Sequence, residues 1–388
     1  MLLEGLKVVE MSTWVAAPSS ATVLADWGAE VVKVESPQGD VTRFFFVDPN
    51  GQTPTFANDN RGKKGVVLDT TRPEGRAALK ALLRQADVFI TNVRPGSMKK
   101  LGLDYDTLKT ECPRLIYAAV TGHGLTGPYA DMPAFDMTAF WARTGVAHAT
   151  IPPDQEPFTS RAGFGDHVTA IITVAGILAA LHERHATGRG RLVESSLIRA
   201  GAFVISWDLA LQLRYGEVVT AQPRNDRPSG LQGFFRTKDD RYISILPRSQ
   251  DCFANVMIAI DRPELVADPR FAPPIVDLDI NREVRAICDE GYGKLTLAEA
   301  GARLDEVDVA WAPMATLKEF AESDLAEFAG CFVDVDDGFG GSFRAPAAPV
   351  RFPEGAPRVG RAAPFLGQHT REVLEAAGLT PEEIAAVL

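Results

Sequence analysis

The stretch that indicates the fold lies near the amino terminus, at Leu6–Glu35, and reads LKVVEMSTWVAAPSSATVLADWGAEVVKVE. It begins with a short β-branched run, LKVVEMS, and continues with a helical pattern, SSATVLADWGA, that ends near Gly28. The next run, EVVKVE, has the composition of a second strand. Strand, helix and strand in this order predict a parallel β-α-β unit.

The same alternation continues along the chain. GVVLD precedes the helical pattern TRPEGRAALKALLRQA, and DVFITN and RLIYAAVTG are two further strand patterns. Strands that alternate with helices of this length predict a mostly parallel sheet covered by helices. We therefore expect an α/β fold with a large Rossmann-like domain.

A chain of 388 residues is longer than one hydrophobic core usually fills, which favours two domains. VVTAQPRNDRPSG, at 218–230, is rich in Pro, Asn, Asp and Gly and is typical of a linker. Two short strand patterns follow it, GFFRTKD and RYISILP, and several helical stretches come after them. We expect a large domain of 1–217 and 318–388, a linker at 218–224 and a smaller α+β domain of 225–317.

Composition restricts the class of protein. The chain is 46% hydrophobic and 23% charged, which is ordinary for a globular protein, and its net charge of −11 argues against nucleic acid as a partner. Four scattered cysteines form no C-x-x-C pair, so neither a zinc site nor a disulfide framework is indicated. The amino terminus lacks the pattern of a signal peptide, and the longest apolar run, Val168–Leu181, is short for a membrane span. We expect a cytoplasmic protein that does not bind membranes.

One segment departs from the acidic balance. Arg61–Lys100 contains ten Lys or Arg residues and three acidic residues. Such a run is either a solvated helix face or a binding site for a small polyanion, and the sequence leaves both interpretations open.

Two motifs carry weaker signals. GHGLTG, at 122–127, has the spacing of a dinucleotide fingerprint, but Pro128 and Tyr129 follow it where a helix should begin, so a loop is the better interpretation. HERH places His182 and His185 one helical turn apart without a third ligand nearby. This pattern is typical of the solvent-exposed carboxyl end of a helix and not of a metal site.

Asp166 is the strongest candidate for chemistry. It follows the sequence GFG and precedes the apolar run, so it lies where a deeply buried helix begins. One interpretation is an N-cap, in which the carboxylate accepts hydrogen bonds from the free amides of the first turn. The other is a reactive carboxylate, which the glycines leave accessible and near which helix amides, that of Gly165 included, stabilise a developing negative charge.

Six stretches of the chain follow one another in a fixed order: VVEMS…LADWGAEVVKVESPQGDVTR, NRGKKGVVLD, NVRPGSMKKLGLDY, PRLIYAAVTGHGLTGPY, GDHVTAIITVAGILAALHERHATGRGRLVESSL and PFLGQHTREVL. Together they make the chain resemble the class III CoA-transferase family, which also contains carnitine-CoA transferases, formyl-CoA transferases and α-methylacyl-CoA racemases. This resemblance implies an interlocked homodimer, with the aspartate of the G-D motif, Asp166, as the nucleophile. It implies no cofactor or metal beyond coenzyme A itself, which serves as substrate and carrier, with a carboxylic acid as the second substrate. The positions implied to contact coenzyme A are Val15, Ala16, Leu68, Asp69, Thr70, Thr71, Asn92, Val93, Arg94, Lys100, Phe135 and Asp136.

Departures from the family pattern indicate which of the family's activities and substrates this chain has. The racemase branch has a His-Asp pair that moves the α-proton, and Phe135-Asp136 stands at that place here. Because Phe cannot carry a proton, we expect a transferase and keep a racemase or isomerase, or a non-catalytic CoA-binding protein, as alternatives. Val15 and Pro37 stand where the formyl-transferring branch has Gln and Arg, which argues against formate and oxalate as substrates.

Overall fold

The computed structural model describes residues 2–47, 53–248, 252–354 and 360–388. Two compact units are present: Met1–Ala149, Phe158–Val218 and Glu327–Leu388 form the first, and Thr150–Pro157 and Val219–Ala326 form the second. The domain boundaries expected from sequence, with a linker at 218–224, stay a prediction.

A six-stranded parallel sheet lies at the centre of the first unit, in the order β3-β2-β1-β4-β5-β6. Its strands are β1 (Lys7–Met11), β2 (Glu30–Glu35), β3 (Lys64–Val67), β4 (Val88–Thr91), β5 (Ile116–Thr121) and β6 (Leu192–Ser196). This strand order is that of a doubly wound Rossmann fold. The predicted α/β class is therefore confirmed.

Alternate residues of these strands face opposite cores, as the two-residue period of a strand requires. On β1, Val9 packs in the core that contains α3 (Pro73–Leu83), whereas Val8 packs in the core that contains α1 (Ala16–Asp26) and α7 (Phe164–Thr187). Buried strands with helices on both faces read as nearly continuous apolar runs, which is why the sequence revealed them. The remaining helices of the first unit are α2 (Pro54–Asn60), α4 (Pro95–Leu101), α5 (Tyr105–Glu111), α8 (Leu197–Val204), α9 (Ser206–Tyr215), α15 (Thr370–Ala376) and α16 (Pro381–Val387), and α6 (Val146–Thr150) and α14 (Asp324–Ala329) lie at unit boundaries.

The strand order reverses between β1 and β4, so that helices leave the sheet on opposite faces at their carboxyl ends. In open α/β sheets this switch point opens a crevice in which ligands bind. The turn after β1 contains Val15, and the turn after β4 contains Asn92.

The second unit is built on a three-stranded antiparallel sheet, β7 (Gly233–Arg236), β8 (Tyr242–Ile245) and β9 (Trp311–Pro313). Its helices are α10 (Phe253–Ala259), α11 (Leu278–Tyr292), α12 (Leu297–Glu306) and α13 (Leu317–Ala321). A turn at Asp239 and Asp240 joins β7 to β8. A separate hairpin, β10 (Phe332–Asp336) and β11 (Ser342–Pro346), belongs to the first unit.

Two expectations about elements were wrong. The stretch SSLIRAGAFVISWDLALQLRYGE, at 195–217, has a helical pattern that predicts one long helix. The structure instead places its first residues in β6, whose polar residues made it hard to recognise as a strand, and breaks the helix at Ile205 into α8 and α9. The helix expected at Asp166 is present: α7 begins at Phe164, and Asp166 lies in its first turn. With 24 residues α7 is also long and apolar enough to cross a membrane, contrary to the expectation; its buried residues nevertheless pack with α1 and the sheet, as those of a core helix do.

Candidate active site

Asp166 lies inside the first turn of α7 and does not cap it. The N-cap is Gly163, with a left-handed φ of 83°, and Phe164 is the first helical residue. Within the described ranges no side chain or backbone group donates a hydrogen bond to the Asp166 carboxylate. The capping interpretation is therefore wrong.

The carboxylate that stabilises this helix start belongs to Asp136. Both of its oxygens lie 3.1 Å from the amide nitrogen of Gly165, which donates to them. Asp136 is 7% exposed and begins a π-helical turn, Asp136–Ala142. Burial raises the pKa of Asp136, although amide hydrogen bonds from the start of α7 oppose the rise.

Close packing, and not open space, explains the glycine at 165. A Cβ there would lie 2.2 Å from Cγ of Phe140 and 2.5 Å from Oδ1 of Asp136. The expectation that this glycine leaves room for a ligand was wrong. Its amide is also already engaged by Asp136, so it is not a free donor for an oxyanion.

Electrostatics make Asp166 unusual among the carboxylates of the chain. Burial, together with the neighbouring Asp136 carboxylate, raises the pKa of Asp166 from 3.8 to about 7, and the adjacent His167 opposes the rise. An unpaired carboxyl with a pKa near neutrality is a common feature of catalytic sites. Within the described residues no hydrogen bond holds the Asp166 carboxyl.

Two residues that sequence reasoning missed lie beside Asp166. The His167 ring contacts the backbone oxygen of Gly163 through Nδ1, at 2.8 Å, and Oδ1 of Asp59 through Nε2, at 3.2 Å. The hydrogen bond to Asp59 raises the pKa of His167. Asp59 is distant in sequence, on α2, so only the tertiary fold reveals this pair.

The turn after β1 packs against the start of α7. Cγ1 of Val15 lies 3.8 Å from the position of a Cβ on Gly163, and Ala16 is buried as the first residue of α1. Across the switch point, the Asn92 amide accepts from the backbone N–H of Thr13 at 3.1 Å and donates to its carbonyl at 2.6 Å. The structure thus brings Val15, Ala16, Asn92, Asp136 and Asp166 to one region of the first unit.

The other positions implied to contact coenzyme A follow β3 and β4. Leu68 is buried, and Asp69 accepts from the backbone and hydroxyl of Thr71 in a tight turn beside Thr70. Val93 donates its backbone N–H to the Thr91 hydroxyl. Arg94 immediately precedes α4, whose last turn contains Lys99 and Lys100. Their roles in binding stay predictions.

Most of the basic run from Arg61 to Lys100 is structural, contrary to the interpretation of the whole run as a polyanion site. Arg61 pairs with Asp26, and Lys80 pairs with Glu111. Arg76 donates to the carbonyls of Thr70 and Thr71. Among the described residues, Arg94, Lys99 and Lys100 are the members of the run without such partners.

A buried ionic cluster beneath the switch point also escaped the sequence analysis. Lys33 contacts Glu10 and Asp40 at 3.0 Å each, and Lys63 contacts Glu10 at 2.6 Å. Although burial pushes the pKa of Glu10 upward, the two ammonium groups outweigh it and hold that pKa at about 2. Burial lowers the pKa of Lys63 to about 8. Lys63 also donates to the backbone oxygen of Asp59, which connects the cluster to the candidate site.

The GHGLTG motif lies in a loop, and the HERH motif lies at the end of a helix. No helix begins in GHGLTG; the next helical segment after β5 starts at Asp136. His182 and His185 are exposed near the carboxyl end of α7. No group of His, Cys, Asp and Glu in the part of the chain that the structure describes could hold a metal ion.

Comparisons with known proteins identify the family of the chain. The chain matches CoA-transferase family III over residues 3–370. It is 34% identical to the (R)-2-hydroxy-4-methylpentanoate CoA-transferase of Clostridioides difficile, over 99% of this chain and 97% of the relative. It is 32% identical to the cinnamoyl-CoA:phenyllactate CoA-transferase of Clostridium sporogenes, over 99% of this chain and 95% of the relative.

A solved structure shows the same fold. A CAIB/BAIF family protein from Brucella suis superposes with a TM-score of 0.86 at 28% identity, covering 97% of this chain and 99% of that one. The resemblance seen in the six sequence stretches is confirmed. Because these matches span nearly the whole chain, the protein belongs to CoA-transferase family III.

Proposed function

We propose that the protein transfers coenzyme A from an acyl-CoA thioester to a carboxylic acid through covalent intermediates on Asp166. The observation that supports this most directly is the Asp166 carboxylate itself, which lies at a helix start without a hydrogen-bond partner in the described residues. A structural carboxylate in such surroundings would be paired, as Asp136 is.

The reaction is a sequence of acyl exchanges. A carboxylate oxygen of Asp166 attacks the thioester carbonyl, the C–S bond breaks, and a mixed anhydride and the CoA thiolate result. The thiolate then attacks the aspartyl carbonyl, which releases the first acid and leaves an aspartyl-CoA thioester. The acceptor carboxylate displaces the thiolate from this thioester to give a second anhydride, and the thiolate attacks the acceptor carbonyl to form the new acyl-CoA and regenerate Asp166. No oxidation state changes in any step.

Coenzyme A fits the carboxyl edge of the sheet in this proposal. The thioester lies near Val15 and Ala16, the phosphates near Arg94 and Lys100, and the adenine near 68–71. The support is twofold: the switch point of a doubly wound sheet is where such ligands bind, and Arg94 and Lys100 have no partner among the described residues.

The acyl groups are apolar in this proposal. Trp14 contacts Phe45 and Phe135, with ring centroids 5.7 Å and 5.1 Å apart, and all three rings are partly exposed next to Val15 and Asp136. Trp14 also has a φ of 69°, a strained conformation that is often found at functional sites. The two relatives described above are named for 2-hydroxy-4-methylpentanoate and phenyllactate, which are 2-hydroxy acids with branched or aromatic side chains. We therefore infer an apolar 2-hydroxy acid as acceptor.

A second copy of the chain is the proposed partner. α9 has no buried residue, and its Trp207, Leu213 and Tyr215 are 88%, 84% and 72% exposed. Apolar side chains at this density on one helix are typical of a subunit interface. An interlocked homodimer would cover them.

All four cysteines are free thiols, which agrees with the proposed cytoplasmic location.

The proposal is tested by trapping the intermediate. Enzyme mixed with a panel of acyl-CoA donors, with 2-hydroxy acids as acceptors, is quenched with hydroxylamine, and the peptide containing Asp166 is analysed by mass spectrometry. A hydroxamate at Asp166 in the wild type, and its absence in Asp166→Asn together with a loss of transfer by orders of magnitude, is the expected result. Transfer at the wild-type rate by a folded Asp166→Asn variant would show that the mechanism is wrong.

The acyl specificity needs its own variant. Trp14→Ala should raise KM for an aromatic or branched acyl-CoA more than for acetyl-CoA, because the ring contributes only when the acyl group is large. An equal change for both donors would contradict the placement of the acyl group against Trp14.

A further inference from the structure

We propose that His167, held as an imidazolium by Asp59, is a positioning residue that keeps Asp166 ionised for attack on the thioester. This inference rests on the proposed function of Asp166 and assigns to its neighbour a role that the family comparison does not supply.

The hydrogen-bond pattern determines the protonation of the ring. Nδ1 of His167 lies 2.8 Å from the backbone oxygen of Gly163, and a carbonyl oxygen can only accept. Nε2 lies 3.2 Å from Oδ1 of Asp59. Because both nitrogens face acceptors, both carry a proton when both hydrogen bonds are made, and the ring is positively charged.

Asp59 is itself firmly positioned. Its side chain is 8% exposed, and Oδ1 also accepts from the Ser19 hydroxyl at 2.9 Å and from the Asn58 amide at 2.8 Å. Its backbone oxygen accepts from Thr22 at 2.5 Å and from the buried Lys63 at 2.8 Å. The acceptor that holds His167 therefore has little freedom to turn away.

The charges around Asp166 come from three elements. Asp136 lies on the π-helical turn, Asp59 lies on α2 with Lys63 beside it, and His167 is on the same helix as Asp166. Burial and Asp136 disfavour the ionised form of Asp166, whereas His167 favours it. Since a carboxylic acid does not attack a thioester, the positive ring determines how much of the enzyme is reactive near neutral pH.

The same geometry excludes a different role. With both nitrogens engaged, His167 has no free lone pair that could remove an α-proton. It therefore does not take over the proton transfer of the histidine that racemases have at the position of Phe135. Its effect on the reaction passes through Asp166.

The test compares two variants at position 167. His167→Gln keeps a group that can donate to Asp59 but removes the charge, whereas His167→Lys restores a positive charge. The rate of Asp166 acylation in a single turnover is measured between pH 5.5 and 9. In the plot of acylation rate against pH, the rate falls on the acid side as Asp166 becomes protonated, and we call this part of the curve the acid limb. For His167→Gln we expect the acid limb to move up by about one pH unit. Acylation is then about tenfold slower at pH 6 and changes less than about twofold at pH 9. His167→Lys should return the limb toward the wild-type position.

A second measurement does not depend on turnover. The Asp166 carboxyl is titrated by ¹³C NMR in wild type and in both variants, with Asp166→Asn used to assign the signal. The expected result is a higher midpoint in His167→Gln and a midpoint near that of the wild type in His167→Lys. Melting temperatures show that each variant is folded.

The outcomes separate the two proposals. An unchanged Asp166 midpoint in folded His167→Gln, or a loss of acylation that is equal at all pH values, would overturn the role of His167. Absence of any aspartyl adduct in the wild type would overturn the proposed function instead, and the NMR midpoints would still report whether His167 controls the ionisation of Asp166.

Discussion

Two aspartates near the start of α7, Asp136 on the π-helical turn and Asp166 on α7 itself, differ in their hydrogen bonding. Asp136 receives the amide of Gly165, whereas Asp166, in the first turn of the same helix, has no such donor within the residues described. Because a half-buried carboxylate without hydrogen bonds is destabilising when ionised, the fold carries a cost at Asp166. Costs of this kind are common at reactive residues.

The first prediction is that Asp166→Asn stabilises the protein at high pH. Since the pKa of Asp166 in the folded chain is raised from 3.8 to about 7, wild type loses stability as the pH rises through this interval, and the variant does not. We expect the variant to be more stable by about 1–4 kcal/mol at pH 8, with no difference below about pH 4. Urea unfolding at both pH values measures this. A variant that is less stable at pH 8 would show that Asp166 has a structural role.

The second prediction concerns Phe135. Its ring packs on Trp14, and it offers no group that can transfer a proton. We therefore expect no appreciable exchange of the α-proton of a 2-methylacyl-CoA in deuterated water. Rapid deuterium uptake, followed by mass spectrometry, would favour the racemase alternative.

At the scale of elements, α7 depends on a cap from another segment of the chain. Gly163 supplies the left-handed turn, and Asp136 supplies the acceptor. This division places Asp166 within the first turn of the helix instead of at the cap, with no hydrogen bond to its carboxylate from the residues that the structure describes.

The third prediction separates capping from electrostatics. Asp136→Ala should lower the unfolding free energy by about 1–2 kcal/mol, because it removes the cap. It should also move the acid limb of Asp166 acylation to lower pH, since the charge of Asp136 raises the pKa of Asp166. The matched control is Asp104→Ala, which removes the cap of α5, where Asp104 accepts from Thr107 at 3.2 Å. The control should lose a similar amount of unfolding free energy without moving the acid limb of Asp166 acylation. An equal movement of the limb in both variants would contradict the electrostatic effect of Asp136 on Asp166.

The fourth prediction concerns α4. Lys100→Glu should weaken coenzyme A binding by about 3- to 10-fold and reduce its dependence on salt, because a phosphate loses a cation that has no other partner among the described residues. Lys109→Glu is the control, since Lys109 is exposed and already paired with Asp106. Calorimetry that gives the same affinity for wild type and Lys100→Glu would refute the placement of the phosphates.

At the scale of the molecule, an acidic chain carries a small group of basic residues at α4, for which we propose a role in binding coenzyme A. The net charge is −11, and within the run from Arg61 to Lys100 most cations have a partner within the chain. In the proposed function the cations at α4 without a partner among the described residues act locally, and the acidic remainder disfavours nonspecific binding of nucleic acid.

The fifth prediction concerns assembly. Two interlocked chains cannot separate without unfolding, so tagged and untagged dimers mixed under native conditions should not exchange subunits over hours, but should do so after refolding together. Trp207→Glu with Leu213→Glu should prevent dimer formation, because charges then replace two highly exposed apolar side chains of α9. Sedimentation showing a wild-type monomer, or rapid subunit exchange, would contradict the interlocked dimer.

Much of the fold was predictable from the sequence because its signals are local. The runs at Lys7–Met11 and Glu30–Glu35 are buried strands whose apolar composition reveals them, and the parallel sheet follows from their alternation with helices. β6 was missed because an edge strand with Glu194, Ser195 and Ser196 has little apolar pattern.

The sequence by itself determined the α/β class, the family and the identity of Asp166 as the candidate nucleophile, since these depend on periodicity and on motifs within short stretches. Only the tertiary structure decided the environment of Asp166. Asp136 takes the helix amide, and His167 reaches Asp59, a residue 108 positions away. The physical reason is that burial and charge are sums over groups from separate segments, so they exist only after the chain has brought these segments together.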